Sequence, residues 1–391
     1  MRSDALDSGP PPLPPLDTPE PEDAFDPALD AEAEANARRE RSFPCAQCGA
    51  KLVFQPGTSS LTCQYCGHVN PIPQSEAEIH EIDFRSTVAS MVRDEDYETT
   101  RVAKCQSCAA EYTLGANVEA ESCPFCGSPQ VVDGGSSRHL KPKALLPFAI
   151  DAKKARELFQ QWLKGLWFAP GRVKQFARLE GGFTGMYVPY WTYDSATTTF
   201  YRGQRGTRYT VTVGIGKNRR TETRIRWRNV SGTVWRDFDD VLVLASSSLP
   251  HKQTERLEPW DLDKLVPYDD AYLAGFRAES YQVDLAAGFE RAKEKMAEVI
   301  RGDIRRDIGG DAQRIISMST QHNKVTFKHV LLPIWLNAYR DGDRVYRFVI
   351  NGRTGEVQGE RPWSWVKIGL AVLVAVAVIA LIWYGSGFID G

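Results

Sequence analysis

Two four-cysteine arrays constrain this chain more than any other feature. The first is Cys45-Ala-Gln-Cys48 followed by Cys63-Gln-Tyr-Cys66, and the second is Cys105-Gln-Ser-Cys108 followed by Cys123-Pro-Phe-Cys126. Each is C-x2-C, fourteen residues, then C-x2-C, and each cysteine of the second lies 60 positions after its counterpart, an internal repeat. Together they use all 8 cysteines of the chain. A C-x2-C turn holds two thiolates one ligand edge apart, so two such knuckles close a tetrahedral all-sulfur site of the kind Zn2+ prefers. Gly49, Gly67 and Gly127 follow the second cysteine of their knuckles, where a positive φ lets backbone amides turn towards sulfur; the third knuckle has Ala109 there. Short strand-like pieces, 51–54 and 111–114, lie between the knuckles. The layout is that of a zinc ribbon, and the expectation is two structural Zn2+ sites.

The competing reading of paired cysteines is a disulfide framework or a redox pair. It is set aside because Met1-Arg2 leads into Ser-Asp-Ala-Leu-Asp, without the apolar run of a secretory signal. A closed four-thiolate site also leaves no coordination position for water, which favours structural over catalytic zinc.

With 391 residues the chain has room for two or three folded units. Its net charge of −2 gives no overall basic excess of the nucleic-acid-binding kind. Residues 1–41 are acidic and proline-rich and read as a disordered arm; Pro10-Pro11-Pro12-Leu13-Pro14 also has the spacing of an adaptor ligand. At the other end, Ile368 to Tyr384 carries no charge, with Trp363 and Trp365 before it and Trp383 near its close. Trp365 to Trp383 spans roughly 27 Å as a helix, the thickness of a bilayer core, with aromatic residues at both interfaces. A transmembrane helix over 366–388 is expected. Arg353, Arg361 and Lys367 precede it and Asp390 follows, so the positive-inside rule places the N-terminal bulk in the cytosol, tail-anchored in the inner (cytoplasmic) membrane.

Between the arrays, 74–99 reads as an acidic linker in which Val88, Met91 and Val92 share one face of a short helix. Gly134-Gly135-Ser136-Ser137 marks the end of the second ribbon. From Asp151, a plausible N-cap, apolar residues recur at helical spacing from Ala155 to Leu166. Met186 to Tyr193 is an aromatic strand, read as core, and several shorter strands follow over 197–245. A second helix runs from Leu285 to Ile304 and ends at Gly309-Gly310; a meander of 325–327, 330–338 and 345–350 completes the domain. The expected fold class is therefore α+β. It comprises zinc ribbons over 42–73 and 100–135, a mixed antiparallel-sheet-plus-helix domain over 140–362, and the C-terminal transmembrane helix.

Two polar groupings carry open readings. Arg224, Arg226 and Arg228 share one strand face, within a patch that includes Arg202, Arg205, Arg208, Lys217, Arg219 and Arg220. It reads first as a solvated sheet face that resists aggregation, and second as a phosphate-binding surface for nucleic acid or anionic lipid. Asp237, Asp239 and Asp240 read first as a turn before a strand, and second as an acid/base or Mg2+ cluster.

Several segments together resemble a bacterial family of membrane-anchored TFIIB-type zinc-ribbon proteins. They are the knuckles, Lys143-Ala144-Leu145-Leu146-Pro147-Phe148, Trp167-Phe168-Ala169-Pro170, Gly185 to Trp191, Phe238 to Val243, Leu332-Pro333-Ile334-Trp335, and Val349 to Val357 with Gly359, Arg361 and Pro362. The resemblance covers roughly residues 45–385. Members are often labelled as similar to primosomal protein N′, a superfamily II helicase. The resemblance implies an anchoring role beside an SPFH-type or phage-shock-type membrane-stress protein, and no catalytic activity. The helicase label does not carry over, because the chain lacks G-x4-G-K-[ST]; Gly216-Lys217 is followed by Asn218. None of its six histidines, His68, His80, His139, His251, His322 and His329, forms H-E-x-x-H, and there is no G-x-S-x-G elbow. The expected function is a non-enzymatic, tail-anchored adaptor whose ribbons meet a cytosolic protein. The alternative is a membrane-tethered nucleic-acid-binding protein using the ribbons and Arg224, Arg226 and Arg228.

Overall fold

The computed structural model describes residues 43–73, 79–89, 97–106, 110–113, 123, 125, 131–166, 182–341, 344–360 and 365–386. The expected arm over 1–41, the ligands Cys108 and Cys126, Gly127, Met91, Val92 and the segment Trp167-Phe168-Ala169-Pro170 lie outside the described residues.

The central sheet is built on two strands of 30 residues each, β9 (Thr184–Val213) and β13 (Ala312–Asp341). With β10 (Arg220–Leu244), β14 (Arg344–Asn351) and β15 (Val357–Gly359) they give the order β10-β9-β13-β14-β15, antiparallel throughout. Short pieces extend it: β8 (Ala144–Leu145) pairs with β13 and with β11 (Val266–Pro267), and β12 (Arg277–Ala278) pairs with β9. The expected short strands over 197–245 are thus one long hairpin, turning at Gly214 to Arg219. The polar stretch before Val325, unassigned by pattern, is also strand. Its Thr, Ser and Gln side chains lie on a sheet rather than in a core, so apolar alternation gives no signal there.

Chain alternation puts β9 side chains into two different cores. Tyr187 packs with Phe148, Phe159, Leu331, Trp335, Phe348 and Ile350. Met186, Val188 and Tyr190 pack with Leu332, Ile334 and Val349 on the other side. The first ribbon covers the first face. Its strands β1 (Val53–Phe54), β2 (Ser60–Thr62) and β3 (Val69–Pro71) form a small sheet, and Leu52, Phe54, Leu61 and Ile72 join the Tyr187 core. The second ribbon covers the opposite face: Ala103, Tyr112 and Phe125 join the Met186 core. Its strands are β5 (Tyr97–Cys105), β6 (Glu111–Thr113) and β7 (Val131–Leu140), ordered β6-β5-β7. Gly134 to Ser137, expected to mark the ribbon's end, lie inside β7, which pairs along Thr99, Thr100 and Arg101. The expected linker is also partly docked structure. Within it β4 (Ile82–Asp83) pairs with Thr326 and Phe327 of β13, and α1 (Phe84–Ala89) follows.

The Tyr187 core is continued by α2 (Ala152–Lys164), whose N-cap is the expected one: Lys154 N–H donates to Asp151 Oδ1 at 2.7 Å. A single helical turn, α3 (His251–Glu255), follows the long hairpin. Farther along the same face of β9 lies α4 (Leu285–Ile308), capped by Asp284 at 2.7 Å from Ala287 N. Phe289, Ala292, Met296, Ile300, Ile304 and Ile308 form its buried stripe. The sheet also grips this helix by polar bonds, with Trp191 Nε1 donating to Val283 O at 2.9 Å and Tyr193 Oη to Leu285 O at 2.7 Å.

The C-terminal segment is a helix, α5 (Trp365–Ser386), with Leu370, Leu373, Ile379 and Leu381 exposed. Among the described residues, however, no helix is long and apolar enough to cross a membrane. This overturns the transmembrane helix expected over 366–388, and with it the tail-anchored placement in the inner membrane.

The α4–sheet contact is closest at Gly288, where a Cβ would lie 2.8 Å from Trp191 Cδ1 and against Tyr193 Oη. Gly288→Val should therefore destabilise the fold by about 1–3 kcal/mol, the usual cost of overpacking. A lowered urea midpoint at unchanged slope would record it.

Candidate metal centre

The first knuckle pair forms as its spacing predicts. Gly49 and Gly67 adopt φ of 73° and 72°, and their N–H groups donate to Cys45 O at 2.8 Å and Cys63 O at 3.0 Å. Those turns aim the following amides inward. Gln47 and Cys48 donate to the Cys45 sulfur, Ala50 to Cys48, Tyr65 and Cys66 to Cys63, and His68 to Cys66. The four Sγ atoms lie within 4.8 Å of one another, with Cys45–Cys66 at 3.6 Å and Cys48–Cys63 at 3.5 Å. Tetrahedral Zn–S bonds of about 2.3 Å would set sulfurs about 3.8 Å apart, so the donor set fits such an ion. Cys45 and Cys63 are buried, and Cys48 and Cys66 exposed.

Crowding four acidic thiols splits their ionisation. Burial pushes the Cys45 thiol up, but the Cys48 and Gln47 amides outweigh it and bring it down to about 6. The Cys66 and Tyr65 amides likewise lower Cys63. At Cys66 the His68 amide acts downward, yet burial and the three neighbouring sulfurs push it up to about 12. The cluster thus stabilises some thiolates at the expense of others, a conflict that a divalent cation at the centre would resolve. His68 contributes through its backbone, accepting from Cys63 N at 2.9 Å while its residue stays exposed. Asn70 is a supporting residue that sequence reasoning missed. Its Oδ1 accepts from Ala46 N at 3.0 Å, and its Nδ2 lies 3.9 Å from the Cys45 sulfur.

Of the second array, Cys105 and Cys123 are both buried. Cys105 N donates to Ala110 O at 3.0 Å, as Cys45 N does to Ala50 O at 2.8 Å, so the repeat extends to the turn geometry. Cys108 and Cys126 being outside the described residues, one four-cysteine cluster is described rather than two.

The expected arginine stripe is on one face, as alternation requires. Cross-strand register puts Arg224 opposite Tyr209, Arg226 opposite Thr207 and Arg228 opposite Arg205. All three arginines are exposed; Arg224 meets Glu222 at 3.3 Å, and Arg226 lies over the Tyr209 ring at 5.2 Å. They stand on the projecting hairpin, away from the cysteine cluster in sequence and core.

A second polar cluster gathers residues that no single motif contains. Carboxylate oxygens of Glu81, Asp194 and Asp239 lie within 4.8 Å of one another. A bulge between Phe238 and Val241 gives Asp240 a φ of 51°, so that its N–H donates to Asp194 Oδ1 at 2.6 Å. Thr326 Oγ1 donates to Glu81 Oε2 at 2.7 Å, and Lys328 Nζ meets Glu81 at 3.1 Å and Asp240 at 2.8 Å. The Asp237, Asp239 and Asp240 run is therefore a bulge whose members separate: Asp240 pairs with Lys328, and Asp239 faces Glu81 and Asp194. The cluster latches the segment before β4 to the sheet. Hydrogen bonding to Asp194 lowers Glu81 to about 2, whereas burial and then the Glu81 contact raise Asp194 to about 7.

No family model matches the chain, and no solved structure matches it. It is similar to the uncharacterized protein YdjG of Bacillus subtilis (strain 168), at 28% identity over 355 residues, covering 89% of this chain and 99% of that protein.

Because Asp194 is raised in the folded chain, it binds its proton more tightly there than in the unfolded chain. Its contribution is complete below the unfolded carboxylate range and is lost as pH rises through about 7. Measured against Asp194→Asn, the wild type should therefore lose urea-unfolding stability between about pH 5 and pH 8; the lowered histidines His139, His251, His322 and His329 act in the opposite sense in both proteins and cancel in that difference.

Proposed function

We propose that this chain is a non-enzymatic zinc-ribbon scaffold that holds structural Zn2+ and docks a protein partner on its first ribbon. The observation that carries the reading is the closed Cys45, Cys48, Cys63 and Cys66 tetrad, set in a ribbon fused to the central core. Zn2+, when bound, supplies four thiolate bonds and no open position for substrate. The chain's own residues do the rest. The knuckle amides orient the sulfurs, and Leu52, Phe54 and Leu61 convert a fixed ribbon into a cover for the Tyr187 core. Phe54 N donates to Ala274 O at 2.9 Å, and the Phe54 ring meets Tyr272 edge-on at 5.2 Å. The cysteines thus secure the packing of a much larger body.

The outward side of the same ribbon supports the docking role. Tyr65, held inside a knuckle, is 82% exposed, and Val69 on β3 is 53% exposed. A rigid, solvent-facing tyrosine is a favoured anchor at protein interfaces, because little side-chain entropy is lost on binding.

Purified protein should contain zinc by elemental analysis, and replacing Cys45 and Cys63 by serine should remove one equivalent per chain. The same change should lower thermal stability by several degrees, since the ribbon then no longer caps the core. Retention of full metal content would overturn the assignment. Tyr65→Ala should leave metal content and melting unchanged while removing the partner that co-purifies with the wild-type chain from its native cell. Recovery of the same partners with Tyr65→Ala would reject the docking surface.

A further inference from the structure

The sheet is covered unevenly. On one face of β9, α4 lies over Thr197, Thr199, Tyr201 and Gly203. The other face is covered by the second ribbon at Met186, Val188 and Tyr190, and farther along it opens to solvent. Register assigns the residues of that open floor. Trp235 lies opposite Thr198, Phe200 between Thr233 and Ser319, Arg202 between Ser231 and Ser317, Gln204 between Asn229 and Arg314, and Trp227 opposite Gly206. Arg208 follows, opposite Ile225.

Trp235 is 72% exposed and Phe200 51%, large rings on the floor of a sheet rather than in a core. An open groove of about 450 Å3 runs beside them, lined by Phe200, Arg202, Thr233, Ser317 and Ser319 among others. Arg314 stacks over Trp227 at 4.0 Å, and Arg202, Arg208 and Arg314 are all exposed. From Thr233 to Ile225 the registered residues of this face include no carboxylate. Asp311, at its margin, is taken up by the Arg208 backbone N–H at 2.7 Å. Successive same-face positions are about 6.8 Å apart, so three rings and three guanidinium groups are spread along roughly 34 Å.

We propose that this uncovered sheet face binds single-stranded nucleic acid, with bases stacking on Trp235 and Phe200 and phosphates paired to Arg202, Arg208 and Arg314. Planar rings on a sheet floor accept unpaired bases, whose faces a duplex hides. Hydroxyls of Ser231, Thr233, Ser317 and Ser319 offer hydrogen bonds without imposing sequence. The Arg224, Arg226 and Arg228 stripe lies on the reverse face of the same hairpin and adds to the attracting field. Phe200 and Arg202 line the same groove, so a ring and a guanidinium group stand side by side for one nucleotide.

The test uses the full chain with a fluorescein-labelled dT20 oligonucleotide, the corresponding duplex, and vesicles of phosphatidylglycerol. Anisotropy should report binding to dT20, tighter than to duplex and weakening as salt rises. Replacing Trp235 and Phe200 by alanine should weaken dT20 binding by about tenfold or more with little change in the salt slope, because stacking is removed while charge is kept. Replacing Arg202 and Arg208 by alanine should instead reduce the slope of log K against log salt by about 1.4, roughly 0.7 for each phosphate no longer neutralised. These side chains are exposed, so an unchanged circular dichroism spectrum and melting curve should accompany both variants. Absence of salt-sensitive dT20 binding overturns the proposal. So does unchanged affinity in the Trp235 and Phe200 variant, equal binding to duplex, or binding to vesicles alone.

Discussion

The structure depends on strands that must be buried on both faces. Between Met186 and Tyr193 nearly every side chain of β9 is enclosed, and so are Val330 to Leu336 of β13 beside it. Strands with this two-sided apolar pattern demand a layer on each side of the sheet. This chain supplies those layers from modules too small to be stable alone. The first ribbon provides Leu52, Phe54 and Leu61 to one core, and the second provides Ala103, Tyr112 and Phe125 to the other. The sixty-residue repeat therefore has an architectural meaning: two copies of one module close the two sides of one sheet.

That arrangement makes the Cys45, Cys48, Cys63 and Cys66 cluster part of the folding problem. A ribbon with three strands of two or three residues each has too little core to hold its shape. Four sulfur ligands on one ion would fix it, and a fixed ribbon presents Phe54 at the angle that meets Tyr272 and Ala274. The segment between the ribbons is fastened too, through the Lys328 ammonium. Burial alone would lower that group, yet Asp240, Glu81 and Asp194 hold it raised. The ribbons and the sheet are thus coupled by apolar contact, by backbone hydrogen bonds and by a charge cluster.

Much of this was legible in the residues and some was not. The knuckle turns, the N-caps Asp151 and Asp284 and the stripe of α4 follow from local rules, because spacing or one side-chain oxygen decides them. The short strands expected over 197–245 belong to one long hairpin, which runs on through Gly203 and Gly206. In the sheet they are places where Ile308 and Ala312 approach the backbone. The acidic latch could not be read at all, since Glu81, Asp194 and Lys328 stand on three elements far apart in sequence. The bulge at Asp240 is its local trace, and an Asp-Asp pair entering an apolar strand is the signal that could have found it. The apolar C-terminal segment misled in another way. Composition and flanking tryptophans point to a span, but among the described residues no helix is long and apolar enough to cross a membrane.

Charge distribution gives the hairpin its separate character. Between Arg202 and Arg228 the sequence holds nine basic residues and one acid, Glu222, in a chain whose net charge is −2. Glu222 meets both Arg220, at 2.9 Å, and Arg224, at 3.3 Å, so one carboxylate serves two guanidinium groups. Opposite Arg228 the register places another cation, Arg205, and like charges directly across a strand pair work against pairing. Other guanidinium groups of the region lie over aromatic rings, Arg226 over Tyr209 and Arg314 over Trp227. A hairpin selected only for stability would alternate its charges. Concentrating one sign on one hairpin, while the remainder of the chain is net acidic, leaves the charge of this protein unevenly distributed.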